Sequence, residues 1–195
     1  MRGFTVATGY SSTNLLPSKK ACREGRRVRE FEIRGGKDRN EMKTRILFLC
    51  HGNICRSPMA EFIMRHLCEE AGVAEQFEIS SAAVSREEIG NDIYPPAKRV
   101  LTAHGIPFDH RAARQVTRAD FEYYDYIICA DRSNVRLLQY YIGISAEEKH
   151  RARISLLMEW AGKNRDVSDP WYTGDFETAY QDIFVSCQAI LSKIA

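Results

Sequence analysis

No stretch of this chain stays apolar for the roughly 20 residues that a helix needs to cross a bilayer. The longest apolar runs, at Arg45–Cys50 and Tyr126–Ala130, are the size of strands. The beginning of the chain lacks the apolar segment of a secretory signal. The six cysteines (Cys22, Cys50, Cys55, Cys68, Cys129 and Cys187) contain no CxxC pair, which argues against a zinc site. In a chain of 195 residues without a secretory signal they also argue against a disulfide framework, so a reducing, cytoplasmic compartment is expected. No GxxxxGK[ST] occurs, which excludes a Walker-type nucleotide loop.

Strong charge of one sign is missing too. The net charge is only +2, and it is unevenly spread. Residues 1–43 carry 11 Lys and Arg against 5 Asp and Glu, leaving 17 against 21 in residues 44–195. A mildly acidic body is not the footprint of a nucleic-acid-binding domain. Residues 1–43 have no clear periodicity and read as a disordered leader or a mis-assigned start, with Met42 as the true one. A transit peptide is disfavoured by Glu24, Glu30, Glu32, Asp38 and Glu41.

From residue 44 onward, short apolar runs alternate with amphipathic stretches. Strands are predicted at Arg45–Cys50, Phe77–Ser81, Tyr124–Ala130 and Ile154–Leu157. Helices are predicted at Ser57–Ala71, with Pro58 in the first turn, and at Pro96–His104, closed by Gly105. Others follow at Asp131–Tyr141 and Phe176–Ile194, with a short helix start at Thr117–Asp120. Strands separated by helices imply an α/β fold: a parallel sheet covered on both faces. Ligands of such sheets sit beyond the carboxyl ends of the strands, which points to the turn that begins at Cys50.

That turn reads Cys50-His51-Gly52-Asn53-Ile54-Cys55-Arg56-Ser57-Pro58. The Cys-x5-Arg spacing alone means little in a chain with many cysteines and arginines; its strand–loop–helix context carries the weight. Successive N–H groups of residues 51–56 can curl around a phosphate, and the helix N-terminus adds positive potential. Gly52 and Asn53 tolerate the left-handed backbone of a tight loop. Arg56 can hold two phosphate oxygens through its planar fork, and the Ser57 hydroxyl is placed to reach the sulfur. This setting favours Cys50 as a thiolate nucleophile. Expelling an alkoxide or phenolate also needs an acid. Asp169-Pro170-Trp171-Tyr172 offers one on a stiffened loop, with two aromatic rings to flank a flat leaving group.

Together with Ser80-Ser81-Ala82, His110-Arg-Ala-Ala-Arg-Gln115 and Asp131-Arg-Ser-Asn134, these stretches resemble the low-molecular-weight protein tyrosine phosphatases over about residues 43–195. The resemblance implies a three-layer α/β sandwich whose four-stranded parallel sheet has the order 2-1-3-4. It implies Cys50, Arg56 and Asp169 as catalytic residues, a phosphocysteine intermediate, no metal or cofactor, and a monomer. Its substrate would be a phosphorylated protein or a small aryl phosphate. Asn53, Ser57, Ser81 and His110 match the family's supporting network, and Trp171 and Tyr172 its aromatic wall. Cys55 matches a redox partner of Cys50, and Asp131 an aspartate near the site that is also a candidate helix N-cap. The chain departs from the family at Ser85-Arg86-Glu87-Glu88, where human-type members carry an aromatic. Ile54 resembles the tyrosine branch; the related arginine phosphatases tend to place threonine there. An arsenate reductase on the same fold would need a second cysteine seven residues after Cys129, where Arg136 stands. A non-catalytic phosphate-binding adaptor would not need all of Cys50, Arg56 and Asp169.

Overall fold

The computed structural model of the chain describes residues 43–143 and 153–195. The reading of the leader lies, except for Lys43, outside the described residues. Strand β1 (Thr44–Cys50) pairs in parallel with β2 (Phe77–Ala83) on one side and β3 (Tyr126–Cys129) on the other. Strand β4 (Arg153–Leu156) joins the far edge of β3, which completes the expected order β2-β1-β3-β4.

Alternation along β1 sends its side chains to two apolar cores. Ile46, Phe48 and Cys50 join α1 (Arg56–Glu70), α2 (Pro95–Ala103) and α7 (Phe176–Ile194) on one face. Leu47 and Leu49 join Ile127, Cys129, Val135 and Leu138 on the other, under α4 (Arg132–Ile142). Both faces of the central strand are dry, so β1 reads as a continuous apolar run rather than an alternating one. Each such Leu, Ile or Phe contributes about 1.5–3 kcal/mol through burial. Helix α1 is enclosed nearly all round: Met59, Phe62, Ile63, Met64 and Leu67 are all buried. His66 on the same helix is only half-buried.

Capping follows local chemistry. Thr117 and Asp120 form a reciprocal capping box at the start of α3 (Arg118–Tyr123), and Asp131 caps α4 by accepting from Asn134 N at 2.7 Å. The predicted strand Tyr124–Ala130 starts two residues later. Tyr124 N still bonds back to Asp120 at the end of α3, and the Asp125 carboxylate accepts from Arg45 N at 2.9 Å, making a corner. Leu157, expected to end β4, opens the single turn α5 (Leu157–Trp160). Pro170–Thr173, read as loop, is another single turn, α6. No helix among the described residues is long and apolar enough to cross a membrane.

Candidate active site

The loop from Cys50 to Arg56 joins the end of the central strand to the start of the most buried helix. Its shape depends on two residues. Asn53 has φ of 59°, the one positive value among the described residues other than glycine. Gly52 lies against Glu88: a Cβ there would stand 2.8 Å from Glu88 Cγ. Val84 N and Ser85 N donate to Cys50 O and His51 O, and Tyr94 N donates to Ile54 O at 2.8 Å, so the chain beyond β2 holds the loop from outside. Cys50 is 3% exposed, and its sulfur meets Ser57 Oγ at 3.0 Å and Asn53 N at 3.3 Å.

Arg56, the residue that opens α1, is buried between two carboxylates. Nη1 donates to Asp131 Oδ2 at 2.7 Å and to Val167 O at 3.1 Å; Nη2 donates to Asp169 Oδ2 at 2.6 Å. These bonds use three of the five guanidinium donors and leave two for a ligand. Burial alone would lower the pKa of Arg56, but the charges of Cys50, Asp169 and Asp131 outweigh it and raise it. Burial likewise works to raise the pKa of Asp131. The hydrogen bond from Ser133 and the charge of Arg56 prevail and lower it. Asp131 is thus both the helix cap read from sequence and a direct partner of Arg56. Asp169 also caps α6, accepting from Trp171 N at 3.1 Å.

Asn53 binds the loop to β2. Its Nδ2 donates to Ser57 Oγ at 2.9 Å and to Ser81 Oγ at 2.8 Å, so three of the four expected supporting residues are brought together. The fourth is placed elsewhere. His110 is exposed and makes none of these bonds. Arg111, one residue on, reaches in instead, donating from Nη2 to Asn53 Oδ1 at 2.7 Å. The longer side chain spans from the surface loop to the buried asparagine; the imidazole is left at the rim. Burial lowers the pKa of Arg111, against the raising charges of Glu61 and Cys50. Glu61 was missed as well. It is buried on α1, accepts from Ser81 Oγ at 2.6 Å and pairs with Arg65 at 2.6 Å. Its position one turn after Ser57 on the same helix was the available signal.

A cleft of about 160 Å³ opens over the loop, lined by Cys50, Ile54, Cys55, Arg56 and Asp169. Trp171 and Tyr172 stand at its mouth, 52% and 85% exposed. Tyr94, not singled out from sequence, supports Trp171, with ring centroids 5.0 Å apart. Glu87 and Glu88 line the same cleft where an aromatic is absent, and Glu87 Oε2 meets His51 Nε2 at 2.9 Å. Cys50 and Cys55 are both free and buried. Burial, then the charges of Cys50 and Asp169, push the Cys55 thiol well up.

Residues 45–195 match the family model described as low molecular weight phosphotyrosine protein phosphatase. The human protein of that description is 40% identical over 151 residues, spanning 76% of this chain and 94% of that protein. The crystal structure of YfkJ from Bacillus subtilis superposes with a TM-score of 0.73 at 37% identity, covering 80% of this chain and 96% of that one. The Drosophila arginine phosphatase DARP gives a TM-score of 0.67 at 29% identity, covering 75% and 95%. With a family model spanning its whole sheet, its thiol loop and its C-terminal helix, this chain belongs to the low-molecular-weight phosphotyrosine protein phosphatase family.

Proposed function

We propose that this enzyme hydrolyses phosphotyrosine-type aryl phosphates, with Cys50 as nucleophile. The single observation that carries the proposal is the Cys50 sulfur, held at 3.0 Å from Ser57 Oγ and 3.3 Å from Asn53 N at the floor of a cleft walled by Trp171 and Tyr172. Hydrogen-bond donors around a sulfur favour its ionised, attacking form. The sulfur attacks phosphorus in line with the leaving oxygen and forms the S–P bond as the P–O bond breaks. Arg56 and the amides of residues 51–56 hold the three remaining phosphoryl oxygens. Asp169 gives its proton to the departing phenolate, then takes one from the water that cleaves phosphocysteine, releasing phosphate and restoring the thiolate. The two guanidinium donors that Asp131, Val167 and Asp169 leave open take up phosphoryl oxygens, and the Arg56–Asp169 ion pair loosens so that Asp169 can turn to the leaving oxygen.

The apolar Ile54 side chain on the cleft wall suits an aromatic ring. Asn53, Ser57 and Ser81 hold the loop, and Cys55 is the partner for a reversible disulfide that shields Cys50 from further oxidation. The protein acts as a monomer in a reducing, cytoplasmic setting, where both thiols stay free until an oxidant such as peroxide turns Cys50 into the sulfenic acid that Cys55 captures with loss of water.

The test uses the full chain and a phosphotyrosine peptide. Wild type should release phosphate, and mass spectrometry after a rapid quench should find phosphate on Cys50. Cys50→Ser should release none while keeping its circular dichroism. Turnover by that variant, or phosphate on another residue, overturns the proposal.

A further inference from the structure

The half-buried Arg111 directs its guanidinium chiefly at Asn53, with Glu61 Oε2 further off at 3.9 Å. Nη1 donates to Asn53 O at 3.2 Å and Nη2 to Asn53 Oδ1 at 2.7 Å, with Ser81 O a longer third contact at 3.4 Å. Asn53 is fully buried and left-handed. A planar fork that grips both the backbone and the side-chain oxygen of such a residue fixes the two together.

Which way the Asn53 amide faces decides where several protons go. With Oδ1 on Arg111 and Arg114 N, Nδ2 faces the two serines and donates to both. Ser81 passes its own hydrogen to Glu61 Oε2. Ser57 Oγ, already receiving from Nδ2, can give its hydrogen to the Cys50 sulfur at 3.0 Å or to the more distant Ala82 O at 3.5 Å, and the nearer sulfur is favoured. An O–H donated to sulfur favours thiolate over thiol. With the amide reversed, Oδ1 would compete for the Ser57 hydrogen and draw it off the sulfur.

We infer that Arg111 is a positioning residue that orients the Asn53 amide and so directs the Ser57 hydroxyl proton onto Cys50. This rests on Cys50 being the nucleophile. The resemblance assigns the supporting place to His110; the structure gives it to the neighbour whose backbone N–H is anchored on Asp92 Oδ1 at 3.2 Å. The charged and titratable groups around the sulfur come from every side. Arg56 and Glu61 lie on α1, His51 in the loop itself, and Glu87 and Glu88 after β2. Asp131 lies at the head of α4 and Asp169 at the head of α6, with Arg111 and Arg114 on the segment between α2 and α3. Among them only Arg111 touches the Asn53 amide oxygen with its side chain.

The test measures the rate at which iodoacetamide, an uncharged reagent, alkylates Cys50 as pH is varied, read by mass spectrometry at that residue. Because it needs no turnover, it separates failure of this inference from failure of the phosphatase proposal. In Arg111→Met the midpoint of the profile should rise by about one pH unit, the scale of a lost favourable charge or hydrogen bond. Arg111→Lys keeps the charge but cannot grip two oxygens, and should fall between. His110→Ala should match wild type. Arg111→Met and Ser57→Ala should be non-additive in this midpoint, since they break the same chain. An unshifted midpoint in both Arg111 variants, strict additivity with Ser57→Ala, or a shift in His110→Ala as large as that of Arg111→Lys would each overturn the inference. If Arg111→Met does not fold, Arg111→Lys decides it alone, by shifting or not.

Discussion

Arg56 and Asp169, 113 positions apart in the chain, meet at 2.6 Å, so the proposed phosphate clamp and the proposed proton donor are bound to each other. The contact couples phosphate binding to proton transfer, so mutating either residue alters both.

Replacing Asp169 should therefore be done twice. Asp169→Asn keeps an N-cap acceptor for Trp171 N but removes the titrating proton. Its kcat should fall roughly 10²–10⁴-fold on aryl phosphates with poor leaving groups, and less on good ones that depart as stable anions. Asp169→Ala should show a similar loss of turnover and about 0.5–2 kcal/mol less stability from the lost cap. Assays over a series of graded phenols, with urea melts alongside, check both. An equal loss across the series removes Asp169 from the acid role.

Asp131 makes a prediction about acid stability. Its folded-state pKa is lowered: burial opposes this, but the Ser133 hydrogen bond and Arg56 prevail. A depressed carboxylate contributes stability that is fully present above its unfolded value near 3.9 and is lost as pH falls through the folded value. Urea midpoints measured from pH 6 down to pH 3 should drop more steeply for wild type than for Asp131→Asn. Parallel curves would show that the pairing with Arg56 adds nothing to the pH dependence.

Glu87 and Glu88 place negative charge beside a cleft that must admit a phosphate dianion. Neutralising either with Gln should raise kcat/KM for para-nitrophenyl phosphate at low salt. The gain should be about 1.5- to 5-fold, the scale of an exposed charge interaction, and should shrink as salt is added. Peptides with Lys or Arg next to the phosphotyrosine should lose their advantage in the same variants. No change at low salt would mean the carboxylates do not face the bound substrate.

Much of the site was legible because it is local. Residues 44–70 form one strand, one loop and one helix, and each residue's task depends on neighbours a few positions away. An apolar run long enough for a buried strand, two residues that accept a left-handed turn, and an arginine at the helix start marked the loop and its proposed nucleophile. The caps at Thr117 and Asp131 were readable for the same reason, since a cap bonds within three residues of itself. Single turns such as α5 and α6 were not, because four residues carry too little periodicity to register.

By itself, then, the sequence determined the alternation of strands and helices and the thiol loop through short-range pattern, while the sheet order and the proposed carboxylate loop came with the family resemblance. Only the tertiary structure decided which distant groups complete the loop. Whether His110 or Arg111 reaches Asn53 depends on how one surface segment crosses the sheet end, a matter of a single residue of register. That Asp131, besides capping its helix, also holds Arg56, and that Glu61 accepts a hydrogen bond from Ser81, follows from contacts between separate elements. Such contacts leave no period in the sequence. They are set by packing, which brings each buried polar group to the one partner that can satisfy it.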